Sequence, residues 1–162
     1  MAKFKDSDEL TLGMVSDISS QLNLENYGVD FQPIFVEKSK EVISVKKASD
    51  VAMYLSSRPD LVLIIINEKC WDKVDEKTQW LWLRIAMEQV SYDTEKCKVN
   101  IGCPTIHVPR ELYAQQGDVI VNACELQLHV METVKEEEKA EKERLKDEKR
   151  KKKKKGIAFI ML

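Results

Sequence analysis

Two histidines, His107 and His129, and four cysteines, Cys70, Cys97, Cys103 and Cys124, are the residues from which a metal centre or a nucleophilic site would have to be built. Cys103 and His107 stand four residues apart around Pro104. That pair could supply half of a metal site, or a thiol beside a base. No second ligand pair has zinc spacing and there is no CxxC pair, so a structural role for both is the simpler reading, and no metal or cofactor is expected. His129, between Leu128 and Val130, reads as structural as well. Asp72, Asp75 and Asp93 could hold a cation, but turn and cap roles account for them with fewer assumptions. Trp71, Trp80 and Trp82 could stack on a base or a sugar. Beside Leu81 and Leu83 they read instead as core, with at least one a lid over it. The five glycines are scattered, and none belongs to a phosphate-binding loop.

The strongest compositional signal lies elsewhere. Arg150 is followed by Lys151, Lys152, Lys153, Lys154 and Lys155, then by Gly156 and the apolar stretch Ile157-Ala158-Phe159-Ile160-Met161-Leu162. Such a run can neutralise phosphates on a nucleic acid, with affinity that falls steeply with salt. It can also lie on an anionic membrane surface while Phe159, Ile160, Met161 and Leu162 insert. A third reading gives the apolar end to a protein partner, and a fourth leaves a solvated tail. The candidate partner-binding residues are therefore Lys151–Lys155, Phe159, Ile160 and Leu162.

The net charge is −2 although 33% of residues are charged, and 43% are hydrophobic, enough for one ordinary core. With the basic residues concentrated from Lys146 to Lys155, the remainder is acidic, which argues against nonspecific nucleic-acid binding by the body. Met1-Ala2-Lys3-Phe4-Lys5-Asp6 lacks the apolar segment of a secretory signal, so export by that route is not expected. No apolar run approaches the ~20 residues that span a bilayer. The cysteines are expected to be free and mostly buried thiols.

The elements that would position these residues centre on 61–92. Leu61 to Ile66 is an unbroken apolar run that predicts a strand covered on both faces. Asp75 can cap the next helix, which carries Trp80, Leu81, Trp82, Leu83, Ile85, Ala86, Met87 and Val90 around most of its circumference and should run through the core. Upstream, residues 1–8 read as loose and Glu9–Leu22 as an amphipathic helix weakened by Gly13. Phe31–Val36 and Val42–Val45 read as strands that could pair as a hairpin, Pro33 pushing the first toward an edge. Ser49 caps a short helix with Val51, Met53, Tyr54 and Leu55 available for burial. Downstream, Lys98–Ile101 reads as a strand and Arg110–Gln115 as a small helix after Pro109. Gly117 should end that helix and Asp118 cap a last one, with Val119, Ile120, Ala123, Leu126, Leu128, Val130 and Val134 packed. From Lys135 nearly every residue is charged. Pairs such as Glu138–Lys142 and Glu143–Lys146 support an exposed helix that Gly156 stops. The domain organisation expected is thus 1–8 flexible, 9–134 folded, 135–155 a charged helical extension and 156–162 an apolar peptide.

The succession of buried strand, Asn67-Glu68, Trp71-Asp72, Asp75-Glu76, long helix and Ser91-Tyr92-Asp93 resembles a phage metallopeptidase family with a zincin-like fold, over roughly Leu10 to Leu128. The resemblance implies an α/β (α+β) domain with a mixed sheet and a central helix bearing HExxH. In that motif two histidines on one helix face bind zinc and the glutamate serves as general base. With Tyr92 and Asp93 fixing the register, the three positions fall on Ile85, Ala86 and Gln89. Isoleucine and alanine carry no ligand atom and glutamine is a poor zinc ligand, so the implied protein is a non-enzymatic relative. It would act by protein binding in virion assembly or host contact, in the host cytoplasm or the virion. Nucleic-acid association through the lysine run and a zinc hydrolase with an unorthodox site are the alternatives.

Overall fold

The computed structural model describes residues 3–102 and 110–160, with backbone alone over 110–113, 115–116, 155 and 157–160. Cys103, Pro104, His107, Pro109, Met161 and Leu162 lie outside the described residues. The fold is α+β, with a mixed four-stranded sheet, a separate hairpin and a long final helix.

Part of the stretch that reads as loose is a strand. Phe4–Asp6 (β1) pairs antiparallel with Asp30–Val36 (β2). Asp8 then caps Glu9–Gln21 (α1), its carboxylate accepting from the Thr11 N–H at 2.7 Å. The expected hairpin does not form: Ile43–Lys47 (β3) pairs with Leu61–Asn67 (β4), which lies between it and β2 in the order β1-β2-β4-β3. β4 is parallel to β2 and antiparallel to β3. Placing the most apolar strand between two neighbours satisfies both of its edges, which a β2–β3 hairpin would have left open. Pro33 is inside β2, yet its edge character survives locally, because β1 stops opposite Ile34.

The sheet is covered unevenly. Val62, Ile64 and Ile66 of β4 are fully buried in the core, whereas Leu63 and Ile65, pointing the other way, are only half-buried. The expectation of cover on both faces is therefore corrected: helices pack on one face. Asp50–Ser56 (α2) has the Ser49 cap, with its hydroxyl accepting from the Ala52 N–H at 3.2 Å. Its apolar face, however, stays in solvent, with Val51, Tyr54 and Leu55 all exposed.

The connection after β4 is a further short helix, Glu68–Trp71 (α3), capped by Asn67 and burying Cys70 and Trp71. Glu76–Met87 (α4) follows, with the Asp75 carboxylate accepting from the Thr78 N–H at 3.0 Å as the sequence predicts. Trp82, Leu83, Ala86 and Met87 are buried and Trp80, Leu81 and Ile85 half-buried. Val90 does not extend the helix; it begins Val90–Asp93 (β5), which pairs with Lys98–Ile101 (β6). Asp93 turns the hairpin by accepting from the N–H groups of Glu95 and Lys96. Tyr92 stacks on Tyr27 with ring centroids 5.0 Å apart.

The largest correction concerns the last element. Arg110–Ile160 is one helix, α5, running through both Gly117 and Gly156. A glycine costs a helix interior about 1 kcal/mol relative to alanine. The hydrogen-bonded turns on either side outweigh that, so Gly117 is no stop, Asp118 no cap, and Gly156 no end. Ile120, Ala123, Val130, Met131 and Val134 bury α5 against the body. The Trp82 indole donates to the Ala123 carbonyl at 2.9 Å, and Trp82 packs against Trp71 at 6.5 Å.

Candidate functional site

The side chains of Ile85, Ala86 and Gln89 border a cleft. Ile85 and Ala86 lie on the last turn of α4 and Gln89 in the turn that follows it. They form one wall of a cleft of about 520 Å³. β3 forms a second wall through Ile43 and Val45, and α5 a third through Cys124, Gln127 and Leu128. Ile101 and Gly102, at the end of β6, close one end, held there by a hydrogen bond from the Gly102 N–H to the Gln89 carbonyl at 2.8 Å. The volume suits a small ligand or a few residues of a peptide.

The β3 wall has a polar side as well. Asn67 donates to Val42 and Ala48 donates to Leu61, at 2.8 and 3.0 Å, which fixes the even-numbered residues as those whose backbone groups face β4. The N–H and C=O groups of Ile43, Val45 and Lys47 consequently point away from β4. β3 is an edge of its sheet, and among the described residues no strand pairs with that side. Lys46 and Lys47 discourage indiscriminate pairing there, as charged side chains on sheet edges do.

The side chains in the cleft favour contact over covalent chemistry. Burial pushes the Cys124 thiol above its usual value, so it stays protonated near neutral pH. Among the described residues no three histidine, cysteine or acidic side chains stand close enough to share a metal ion. His129 is exposed on α5, and Asp72, Asp75 and Asp93 stand at separate turns and caps rather than together. Trp71 and Trp82 are core, and Trp80 is the half-buried lid. Of the thiols, Cys70 is buried, Cys97 exposed and Cys124 between the two.

The basic run stands far from this cleft. Beyond Val134, α5 leaves the body. Its root is clamped to α3 by Lys69–Glu138 and Lys73–Glu137, each 2.8 Å, while Lys5 bonds Glu68 beside them. Glu138 thus turns to Lys69 rather than to Lys142. The Lys69 ammonium holds the Glu138 carboxyl below its ordinary value and is itself raised. Farther out the expected intrahelical pairs are not made; a loose Asp147–Arg150 contact at 3.9 Å is the ion pair there among the described residues. Lys151 to Lys154 are all exposed. At ~1.5 Å per residue, Lys151 lies about 25 Å along the axis from Val134. Lys149–Lys153, Arg150–Lys154 and Lys151–Lys155 are like-charge neighbours four apart, each costing the helix roughly 0.2–0.5 kcal/mol. For Lys155, Phe159 and Ile160 the backbone alone is described, within the helix.

Comparison of the chain with protein-family models, with curated proteins and with solved structures finds no match. No described helix is long and apolar enough to cross a membrane. The sequence alone does not reveal the cleft, because its walls come from segments near residues 45, 86 and 126.

Proposed function

We propose that this chain is a non-catalytic protein-binding domain that takes an extended polypeptide segment along β3, on a framework of zincin-like type whose reactive residues have been replaced. The observation that carries the reading is the coincidence of two features in one cleft. Ile85, Ala86 and Gln89, the positions matching HExxH, line it. The outward backbone groups of Ile43, Val45 and Lys47 run beside it. A peptide adding to that edge would gain main-chain hydrogen bonds, and alternate side chains would enter the apolar cleft. The biological setting inferred from the family resemblance is a phage protein working in the host cytoplasm or the virion, with the stalk of α5 as its tether.

The test is selection of peptides from a random library on the full chain, followed by binding to two variants. Val45→Pro removes an outward-pointing donor and leaves the β4 ladder its bonds. Ala86→Phe fills the cleft. Each variant, checked for its fold by circular dichroism, should weaken selected peptides by at least about tenfold, the loss of roughly one good contact. Peptides indifferent to both, or none enriched, would remove the cleft from the account. Metal analysis addresses the hydrolase alternative: about one equivalent of zinc in the purified protein would refute the non-catalytic reading.

A further inference from the structure

We propose that the outer end of α5 docks end-on onto an anionic lipid membrane. The proposal is independent of the cleft and concerns what the stalk is tethered to. Three observations lead to it. First, the helix is continuous from the body to Ile160, so the basic run is presented on a rod. Second, the basic residues do not form a stripe. Successive residues on an α-helix turn by ~100°, so Lys151, Lys152, Lys153 and Lys154 point to four different sides, and all four are exposed. A protein or a nucleic-acid groove meets one side of a helix and would leave half of such a collar unused. A headgroup layer surrounds a helix that enters it, and matches charge on every side. Third, the backbone of Ile157 to Ile160 continues the helix past the collar, so these apolar residues follow it along the axis instead of lying opposite it. Ile157, Ala158, Phe159, Ile160, Met161 and Leu162 come directly after the lysines and Gly156.

The dimensions fit shallow insertion. The four helical residues that follow Gly156 extend about 6 Å, enough to carry apolar groups into the headgroup layer beside the ~30 Å hydrocarbon core. Neither signal suffices alone, since a small apolar segment or a basic patch by itself binds reversibly and weakly; together they form the two-part anchor that holds peripheral proteins. The repulsion among Lys149, Arg150 and the lysines that follow is relieved when anionic lipid surrounds them. The stretch from Glu136 to Glu143, rich in glutamate, sits one to two dozen ångströms back along the rod and the body is acidic. Both are repelled by the same surface, which favours the upright orientation over a helix lying flat.

The experiment is sedimentation of the full chain with vesicles of phosphatidylcholine alone and of phosphatidylcholine with about one third phosphatidylserine, over a range of salt. Binding is expected to the mixed vesicles and to be lost on the neutral ones. Replacing Lys151–Lys155 by glutamine should lower partitioning on the order of 10³-fold. Phe159→Ser with Ile160→Ser should lower it about tenfold or more while leaving the salt dependence in place. All these changes lie beyond Val134, the last buried residue among those described, and circular dichroism verifies that the body is unchanged. Equal binding to both vesicle types, or no binding to either, overturns the proposal. So does an RNA homopolymer that displaces the chain from vesicles and binds the serine variant as well as the parent, a result that would assign the lysines to nucleic-acid phosphates.

Discussion

Up to Val134, α5 carries Ile120, Ala123, Val130, Met131 and Val134 into the core; from Lys139 to Lys154 every residue is exposed. One helix therefore contains two regimes. The root is helical because one side of it is buried against α3 and α4, and Trp82 reaches its backbone at Ala123. The stalk has no body to pack on. Its helicity rests on propensity, on continuity with an already formed root, and on residues that favour helix such as Glu, Lys, Arg, Ala and Leu. The nucleation cost that defeats short isolated helices has been met by the root, so each stalk residue adds a hydrogen bond at little expense. A helix that carries two glycines can therefore remain continuous when part of it is anchored on the body.

The most severe way to break this arrangement is Trp82→Ala. It empties a fully buried site and removes the indole that joins α4 to α5, and should cost about 3–5 kcal/mol, read from the urea midpoint. A sharper contrast comes from one pair of truncations. Val134→Ala, at a buried root position, should cost about 2 kcal/mol, whereas Leu145→Ala, at a stalk position 45% exposed, should stay within about 0.5 kcal/mol. Next come the helix glycines. Gly13→Ala in α1 meets nothing within 4 Å and should raise stability by about 0.5–1 kcal/mol. Gly156→Ala, equally free of contacts, should raise helicity at 222 nm without moving the global midpoint.

The clamp at the boundary between the two regimes has a smaller and pH-dependent effect. Lys69→Ala should cost roughly 0.2–1 kcal/mol near neutral pH, since the pair is partly exposed and screened. Glu138 is held below its ordinary value, so its contribution is present above the glutamate range and is lost as pH falls through the lowered value. Lys69 is raised, so its contribution is fully present below the ordinary lysine range and is lost as pH rises through the raised value. The difference between parent and Lys69→Ala in urea melts should therefore vanish in acid and hold to strongly alkaline pH. Smallest of all is the effect of removing residues 139–162: the unfolding midpoint should stay within about 0.5 kcal/mol while the helical signal drops.

Much of this was written locally. The run Leu61–Ile66 is a strand, and Asp75 and Ser49 cap the helices that follow them, because a cap needs only its own next three residues. The charged character of 135–155 alone marks an exposed helix. Local rules could not reveal which strands are neighbours. Val42–Val45 pairs with β4 instead of β2 because the most apolar strand takes the centre, a choice made among all strands at once. Nor could they reveal that Val51, Tyr54 and Leu55 stay in water, that Gly117 and Gly156 fail to stop a helix, or that Ile85 and Gln89 face β3 across a cleft. Periodicity states that a residue belongs to an apolar face, but burial is decided by whatever element arrives opposite it. Neighbours within a turn or two set β4, α1, α2 and α4, the caps at Ser49 and Asp75 and the charge on the stalk, but not β1, α3, β5 or the single span of α5. The tertiary structure decided the sheet order, the continuity of α5 and the cleft, each of which depends on contacts between segments far apart in the chain.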